Sequence, residues 1–125
     1  MDSTVILTKN APGPGGPYSQ AVRRGNILAL SGQAGVSPVS GMIVEGVDEQ
    51  IRQAMNNLQA VLEEAGASFA DVVMIRAYIT QQGHFRELNN VFKEFILDPP
   101  PARTTAYVEL PPGMLVELDA LAVVE

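Results

Sequence analysis

Two charged residues lie in apolar surroundings near the end of the chain. Arg103 follows prolines 99–101, which stiffen the backbone before it, and Glu117 lies between Val116 and Leu118. A carboxylate in such a strand is costly to desolvate unless an opposite charge or a donor meets it. Arg103 is the obvious partner, since we expect the two strands to pair. Either the two form a structural ion pair between neighbouring strands or subunits, or Arg103 binds a substrate carboxylate while Glu117 orients a water molecule.

Three further polar side chains have roles that the sequence leaves open. Asn89 lies on an apolar helical stripe between Phe85 and Phe92, where its amide needs partners. It either caps a loop or edge carbonyl or contacts a substrate. Tyr18 follows a segment rich in proline and glycine, and it either closes over a site or ties that segment to the sheet. The lone His84, in the polar turn before the second helix, is interpreted as a surface or helix-start residue.

Composition excludes several kinds of chemistry. The chain has no cysteine and one histidine, which excludes disulfides, thiol nucleophiles and metal sites built on cysteine or clustered histidines. Fourteen acidic residues against eight basic ones give a formal charge of -6, which opposes binding to the phosphates of nucleic acid. No stretch reaches the ~18 apolar residues of a membrane span. We therefore expect a cytoplasmic protein with no membrane partner and no nucleic acid partner.

One domain spanning residues 1–125 must position these side chains, because 125 residues leave no room for a second core. Apolar residues three or four apart predict amphipathic helices over residues 48–65 and 85–96, the second ended by prolines 99–101. Apolar and β-branched runs predict strands over residues 27–31, 72–80, 103–108 and 115–124, with a hairpin joining residues 27–31 to residues 42–44.

This order of elements favours an α+β fold in which two helices cover one face of a single sheet. The strand over residues 115–124 has two apolar faces, although two helices cover only one. Hydrophobic residues make up 46% of the chain and charged residues only 18%, so polar side chains are too few to solvate the second face. We therefore expect that face to pack against another subunit in a homo-oligomer.

Motifs along nearly the whole chain resemble the Rid (YjgF) family, whose founding branch consists of reactive-intermediate imine deaminases. The matching motifs are Gly16-Pro17-Tyr18-Ser19-Gln20-Ala21, Leu30-Ser31-Gly32-Gln33, Gln53-Ala54-Met55-Asn56-Asn57-Leu58, Glu64-Ala65-Gly66-Ala67, Asp71-Val72-Val73, residues 85–95 with Asn89, Pro101-Ala102-Arg103-Thr104-Thr105, and residues 110–117. Each motif is weak alone, but together they are specific.

The resemblance implies a chorismate-mutase-like α+β subunit with a mixed β-sheet and two α-helices packed on one face. It also implies a homotrimer with a site in each inter-subunit cleft. There, Arg103 would bind the carboxylate of a 2-imino acid and Glu117 would position the hydrolytic water. The residues that would line or support the cleft are Tyr18, Ser31, Gly32, Asn89 and Thr105.

The implied activity is that of a 2-iminobutanoate/2-iminopropanoate deaminase, which hydrolyses a reactive imine to a 2-keto acid and ammonia. We expect this chemistry to need no metal and no organic cofactor. One alternative is a non-catalytic module that captures small carboxylates or a protein partner at the same clefts. Another is a ribonuclease or translation inhibitor, as some relatives are described. The acidic charge and the lack of a histidine pair argue against RNA cleavage.

Overall fold

The computed structural model describes residues 2–125 and contains one six-stranded sheet with two α-helices. The strands are β1 (Ser3–Ile6), β2 (Ala21–Arg24), β3 (Ile27–Ala34), β4 (Val72–Ile79), β5 (Ala102–Tyr107) and β6 (Val116–Val123), and the helices are α1 (Val47–Glu64) and α2 (Phe85–Phe95). This is the predicted α+β fold. No helix among residues 2–125 is long and apolar enough to cross a membrane.

The sheet has the strand order β1-β2-β3-β6-β4-β5. β4 and β5 are parallel, and every other neighbouring pair is antiparallel. The prediction that the strands of Arg103 and Glu117 pair is therefore wrong, because β4 lies between β5 and β6. Helix α2 returns the chain parallel to β4 and leaves β5 at the sheet edge, whereas β6 enters the middle between two antiparallel partners.

The predicted hairpin between residues 27–31 and 42–44 is also wrong. β3 instead forms a hairpin with β2 through a two-residue turn that contains Gly25, whose φ is 61°. Residues 42–44 contribute only an isolated bridge, from Ile43 to Val36. The strand Ala21–Arg24 escaped prediction because its four residues include two arginines and carry little apolar pattern.

The core lies between the helices and one face of the sheet. The apolar spacing that predicted α1 and α2 marks the buried face of both helices, except for the exposed Phe85 at the start of α2, and the two helices pack against each other. Asn57 of α1 is fully buried, and its amide donates to the carbonyl oxygens of Ala34 at 3.1 Å and Val36 at 2.9 Å. This side chain fixes α1 to the end of β3.

The opposite face of the sheet, called the open face below, carries no helix. On β6 it presents Glu117, Asp119, Leu121 and Val123, which alternate with the buried residues of the same strand. Leu121 and Val123 are 37% and 38% exposed, and Ile27 on β3 is 43% exposed. The apolar second face predicted from the strand pattern is therefore uncovered within one chain.

Candidate active site

Arg103 lies at the sheet edge, on the face that the helices cover. Its register partner on β4 is the core residue Ile75. Its guanidinium donates from Nη2 to Oδ1 of Asn89 at 2.7 Å. The same group lies over the rings of Phe92 and Phe85, at 4.9 Å and 5.5 Å from their centroids. Three residues on one side of α2 thus form a cradle for one cation.

No carboxylate of residues 2–125 pairs with Arg103. The ion pairs among these residues are formed by Arg52 and Arg76. Partial burial lowers the pKa of Arg103, since desolvation disfavours the charged form. A half-buried guanidinium held by a neutral amide and two rings keeps its charge and its other donors for an external anion, and a carboxylate matches that fork.

Glu117 is the second residue of β6 and lies on the open face, beside an irregularity in β3. The pairs Leu30–Ala120 and Gln33–Leu118 leave two residues of β3, Ser31 and Gly32, opposite one residue of β6. A side-chain Cβ at Gly32 would lie 2.9 Å from the carboxyl carbon of Glu117. The glycine therefore provides the space in which the carboxylate lies.

The Glu117 carboxyl accepts no hydrogen bond from residues 2–125, which agrees with a group left free for water. Partial burial raises the pKa of Glu117, and the neighbouring charge of Asp119 raises it further. A carboxylate with a raised pKa is a stronger proton acceptor than an ordinary one. Glu117 can therefore take a proton from a bound water molecule.

The segment before β2 is an ordered loop. Tyr18 is 53% exposed, and its hydroxyl oxygen accepts from the amide of Gly15 at 3.0 Å. The loop is tied down by Gln20, which is 2% exposed and makes four hydrogen bonds to the backbone of Thr8, Ala11 and Pro12. Gln20 therefore anchors this loop, which is the structural role considered above for Tyr18. The hydrogen bond of Tyr18 instead joins two residues within the loop.

The predicted site residues fall into two groups. Tyr18, Ser31, Gly32 and Glu117 line an open-face cleft of about 710 Å³. Ser31 also donates to the Ser19 carbonyl at 2.6 Å, which supports the cleft wall.

The second group lies at the edge of the sheet. Asn89 and Arg103 line a cleft of about 360 Å³ there. Thr105 is half-buried and lies two residues beyond Arg103 on the same face of β5.

One chain does not bring Arg103 and Glu117 together. Arg103 shares its face with Ile75, and Glu117 shares its face with Tyr78, three residues further along β4. Side chains alternate between faces, so an odd spacing places the two charges on opposite sides of the sheet. The predicted ion pair between neighbouring strands is therefore wrong within one chain. Either charge is available only to a ligand or to another subunit.

Sequence reasoning missed two groups of residues that shape these clefts. Phe85 and Phe92 lie on the predicted apolar stripe of α2, but their stacking on Arg103 was not predicted. Asp119 accepts from Arg76 and Tyr78 in the Glu117 cleft. The alternation of side chains along β4 and β6 placed Arg76, Tyr78 and Asp119 on the face away from the core. That alternation was the sequence signal that could have identified them.

A mixed sheet covered on one face, with a cation at its edge that is unpaired among residues 2–125 and a carboxylate on its open face, defines a small α+β protein whose arginine is available to an anionic ligand. The Endoribonuclease L-PSP family model matches residues 8–124, so the chain belongs to that family, which is the Rid family of the resemblance. The fold matches those of Rid proteins and is thus the chorismate-mutase-like fold that the resemblance implied.

Three similar proteins match nearly the whole of this chain. The 2-iminobutanoate/2-iminopropanoate deaminase of Dermatophagoides farinae is 42% identical over 123 residues, with 97% of this chain and 96% of that protein covered. RidA of an Antarctic Psychrobacter is 38% identical with a TM-score of 0.94, covering 97% of this chain and 99% of that one. E. coli TdcF with bound serine is 33% identical with a TM-score of 0.90, covering 98% and 99%. Relatives from Pyrococcus horikoshii and Aquifex aeolicus are named only as RutC family proteins.

Proposed function

We propose that the chain is an imine deaminase that hydrolyses 2-iminobutanoate and 2-iminopropanoate to 2-keto acids and ammonia. The observation that carries the proposal is Arg103, a half-buried guanidinium held by Asn89 and two phenylalanine rings with no carboxylate partner among residues 2–125. Such a group is preorganised for a small carboxylate. Relatives named as deaminases for these imino acids support this choice of substrate.

The active form we propose is a homotrimer with a site in each inter-subunit cleft. Because Arg103 and Glu117 lie on opposite faces, the Arg103 edge of one subunit must meet the open face of the next. Arg103 and Asn89 of one subunit then face the group of Tyr18, Ser31, Gly32 and Glu117 on its neighbour. Such contacts also cover the apolar open face, and a cyclic trimer satisfies all three subunits alike.

In the proposed reaction, Arg103 binds the substrate carboxylate and thereby fixes the imine carbon. Glu117 accepts a proton from water as the water oxygen bonds to that carbon, and it passes this proton to the imine nitrogen. This gives a tetrahedral carbinolamine. Glu117 then transfers the proton of the carbinolamine hydroxyl to the amino group as the carbon–nitrogen bond breaks, so ammonia and the 2-keto acid leave. Tyr18 limits access of bulk water, and Thr105 flanks the carboxylate.

The test compares the unmodified protein with Arg103→Ala on imines generated in situ, with 2-keto acid formation as the readout. A charged hydrogen-bonded pair is worth about 1.5–3 kcal/mol, so we expect kcat/KM to fall about 10- to 100-fold. The control is Lys9→Ala, which removes a positive charge from an exposed position outside the sheet and should leave the rate unchanged. Equal rates for Arg103→Ala and the unmodified protein, or no acceleration over buffer, would sink the proposal.

A second candidate function is capture of small carboxylates without turnover. The observation that favours it is again the Arg103 cradle, together with the serine bound in the related TdcF. Calorimetry with 2-ketobutanoate distinguishes the two functions. Binding that depends on Arg103, with no acceleration of imine hydrolysis, would favour the binding module.

A further inference from the structure

Asp119 is the centre of a polar network beside Glu117 on the open face. Its Oδ1 accepts from Nε of Arg76 at 2.8 Å, and its Oδ2 accepts from the hydroxyl of Tyr78 at 3.2 Å. Its side chain is 15% exposed, whereas that of Arg76 is 60% exposed. In the register of β4 and β6, Arg76 lies opposite Asp119 and Tyr78 lies opposite Glu117. The network therefore spans both strands around one carboxylate.

The same network lines the cleft that contains Glu117. β3 and β2 face this cleft with small or apolar residues and with Ser31, which carry no titratable group. The titratable and charged groups that face Glu117 within one chain are Tyr18 from the loop, Arg76 and Tyr78 from β4, and Asp119 from its own strand. In the proposed trimer, Arg103 of a neighbouring subunit is a further charge.

We propose that Asp119 is a positioning residue that acts through Glu117, and that Asp119 and Arg76 together set the pH at which Glu117 takes the proton of the hydrolytic water. This inference rests on the proposed deaminase function. In this proposal Asp119 acts on Glu117 and not on the substrate. Its effect comes from its negative charge two residues from Glu117 on the same face, and Arg76 holds that charge in place and offsets part of it.

The physical reason is repulsion between like charges at short range. The ionised form of Glu117 is disfavoured first by burial and then by Asp119. Removing the charge of Asp119 makes Glu117 easier to ionise, whereas removing Arg76 leaves the Asp119 charge without compensation and makes ionisation harder. Because Glu117 works as a base when ionised, activity is lost as the pH falls through its pKa. The two substitutions should therefore displace the acid side of the pH profile in opposite directions.

The first experiment measures kcat/KM for imine hydrolysis against pH. We expect Asp119→Asn to displace the acid limb downward by about 0.5 pH or more, and Arg76→Gln to displace it upward by a similar amount. Glu109→Gln is the matched control, because it removes an acidic charge from an exposed loop position, and its limb should not move. If Asp119 has only a structural role, Asp119→Asn will lower the maximum kcat/KM without displacing the acid limb of the pH profile. That result would overturn the inference.

The second experiment titrates the ¹³C-labelled carboxyl of Glu117 by NMR, assigned by its loss in Glu117→Gln. It needs no turnover, so it separates failure of this inference from failure of the deaminase proposal. Opposite displacements in Asp119→Asn and Arg76→Gln support the coupling even if imines are not hydrolysed. An unchanged midpoint in both variants, or displacement in the same direction, contradicts it. Either variant alone decides the sign if the other fails to assemble, as size-exclusion chromatography would reveal.

Discussion

Three arginines of this chain are held by their neighbours in two different ways. Arg52 is paired with Glu49 and Glu94, and Arg76 is paired with Asp119. Arg103 is instead held by an amide and two aromatic rings. Neutral partners orient a cation without neutralising it, so the full charge remains for a ligand. This difference separates an arginine that is available to a ligand from two that are neutralised by carboxylates of their own chain.

The space at Gly32 yields a prediction for the residue scale. We expect Gly32→Ala to lower kcat/KM for imine hydrolysis at least about 10-fold, because the new methyl group would lie 2.9 Å from the Glu117 carboxyl carbon and must displace it. The φ of Gly32 is not positive, so the backbone tolerates alanine. The measurement is steady-state kinetics alongside thermal unfolding.

The control for that prediction is Gly83→Ala, since a Cβ at Gly83 meets nothing within 4 Å. Its kinetics should match those of the unmodified protein. If Gly32→Ala were as active as Gly83→Ala, the position of the Glu117 carboxylate would not matter for turnover.

Local context was enough to single out Arg103 and Glu117 as unusual charges, but not to place them relative to each other. The face of the sheet on which each charge lies depends on the order of the strands and on whether their partner residues on β4 are an odd or an even number of residues apart. Both depend on the packing of the whole sheet, which no short segment of sequence encodes. The anchoring by Gln20 was equally hidden, because its partners are backbone groups 8 to 12 residues away. The sequence was therefore enough to identify the unusual side chains, but not the residues that each of them contacts.

At the scale of elements, periodicity predicted both helices and the strands β4, β5 and β6 to within one residue, whereas β3 extends three residues beyond its predicted end at residue 31. The helix expected over residues 48–65 spans Val47–Glu64, and the strand expected over residues 72–80 spans Val72–Ile79. Each of these segments buries a face that its own sequence defines. β2 is short and half-buried, and the irregularity of β3 at Ser31 and Gly32 arises from its pairing with β6. Such features require knowledge of the partner strand.

The attachment of α1 to β3 yields a prediction for the element scale. Asn57→Ala should lower the free energy of unfolding by about 2–4 kcal/mol, because it removes two donors and leaves the carbonyls of Ala34 and Val36 unpaired. The neighbouring Asn56 is exposed on the same helix. Asn56→Ala should change stability by less than about 0.5 kcal/mol.

Chemical denaturation of both variants measures this difference directly. Equal stabilities for Asn57→Ala and Asn56→Ala would show that the buried amide contributes nothing to holding the helix on the sheet.

At the scale of the whole molecule, association between chains would explain both the low charge content and the position of the two charges on opposite faces of the sheet. The open face is partly apolar and uncovered, and the two charges of the proposed reaction lie on opposite sides of the sheet. A monomer leaves the apolar face exposed to solvent and keeps Arg103 and Glu117 apart. Association through the open face covers the apolar residues and brings Arg103 of one chain to Glu117 of another. Activity and assembly are therefore coupled in this proposal.

This coupling is tested by a charge placed on the open face. We expect Leu121→Glu to prevent trimer formation, because burying an unpaired carboxylate in an apolar contact is costly. By light scattering, the mass should fall from three times the chain mass of 13.4 kDa to that of one chain. Imine hydrolysis should be lost with it, although Arg103 and Glu117 are unchanged. Val39→Glu is the control, because Val39 is 95% exposed on a loop outside the sheet, and it should leave both mass and rate as they were. A monomeric Leu121→Glu protein that still hydrolyses imines would show that one chain suffices and that Arg103 and Glu117 need not meet.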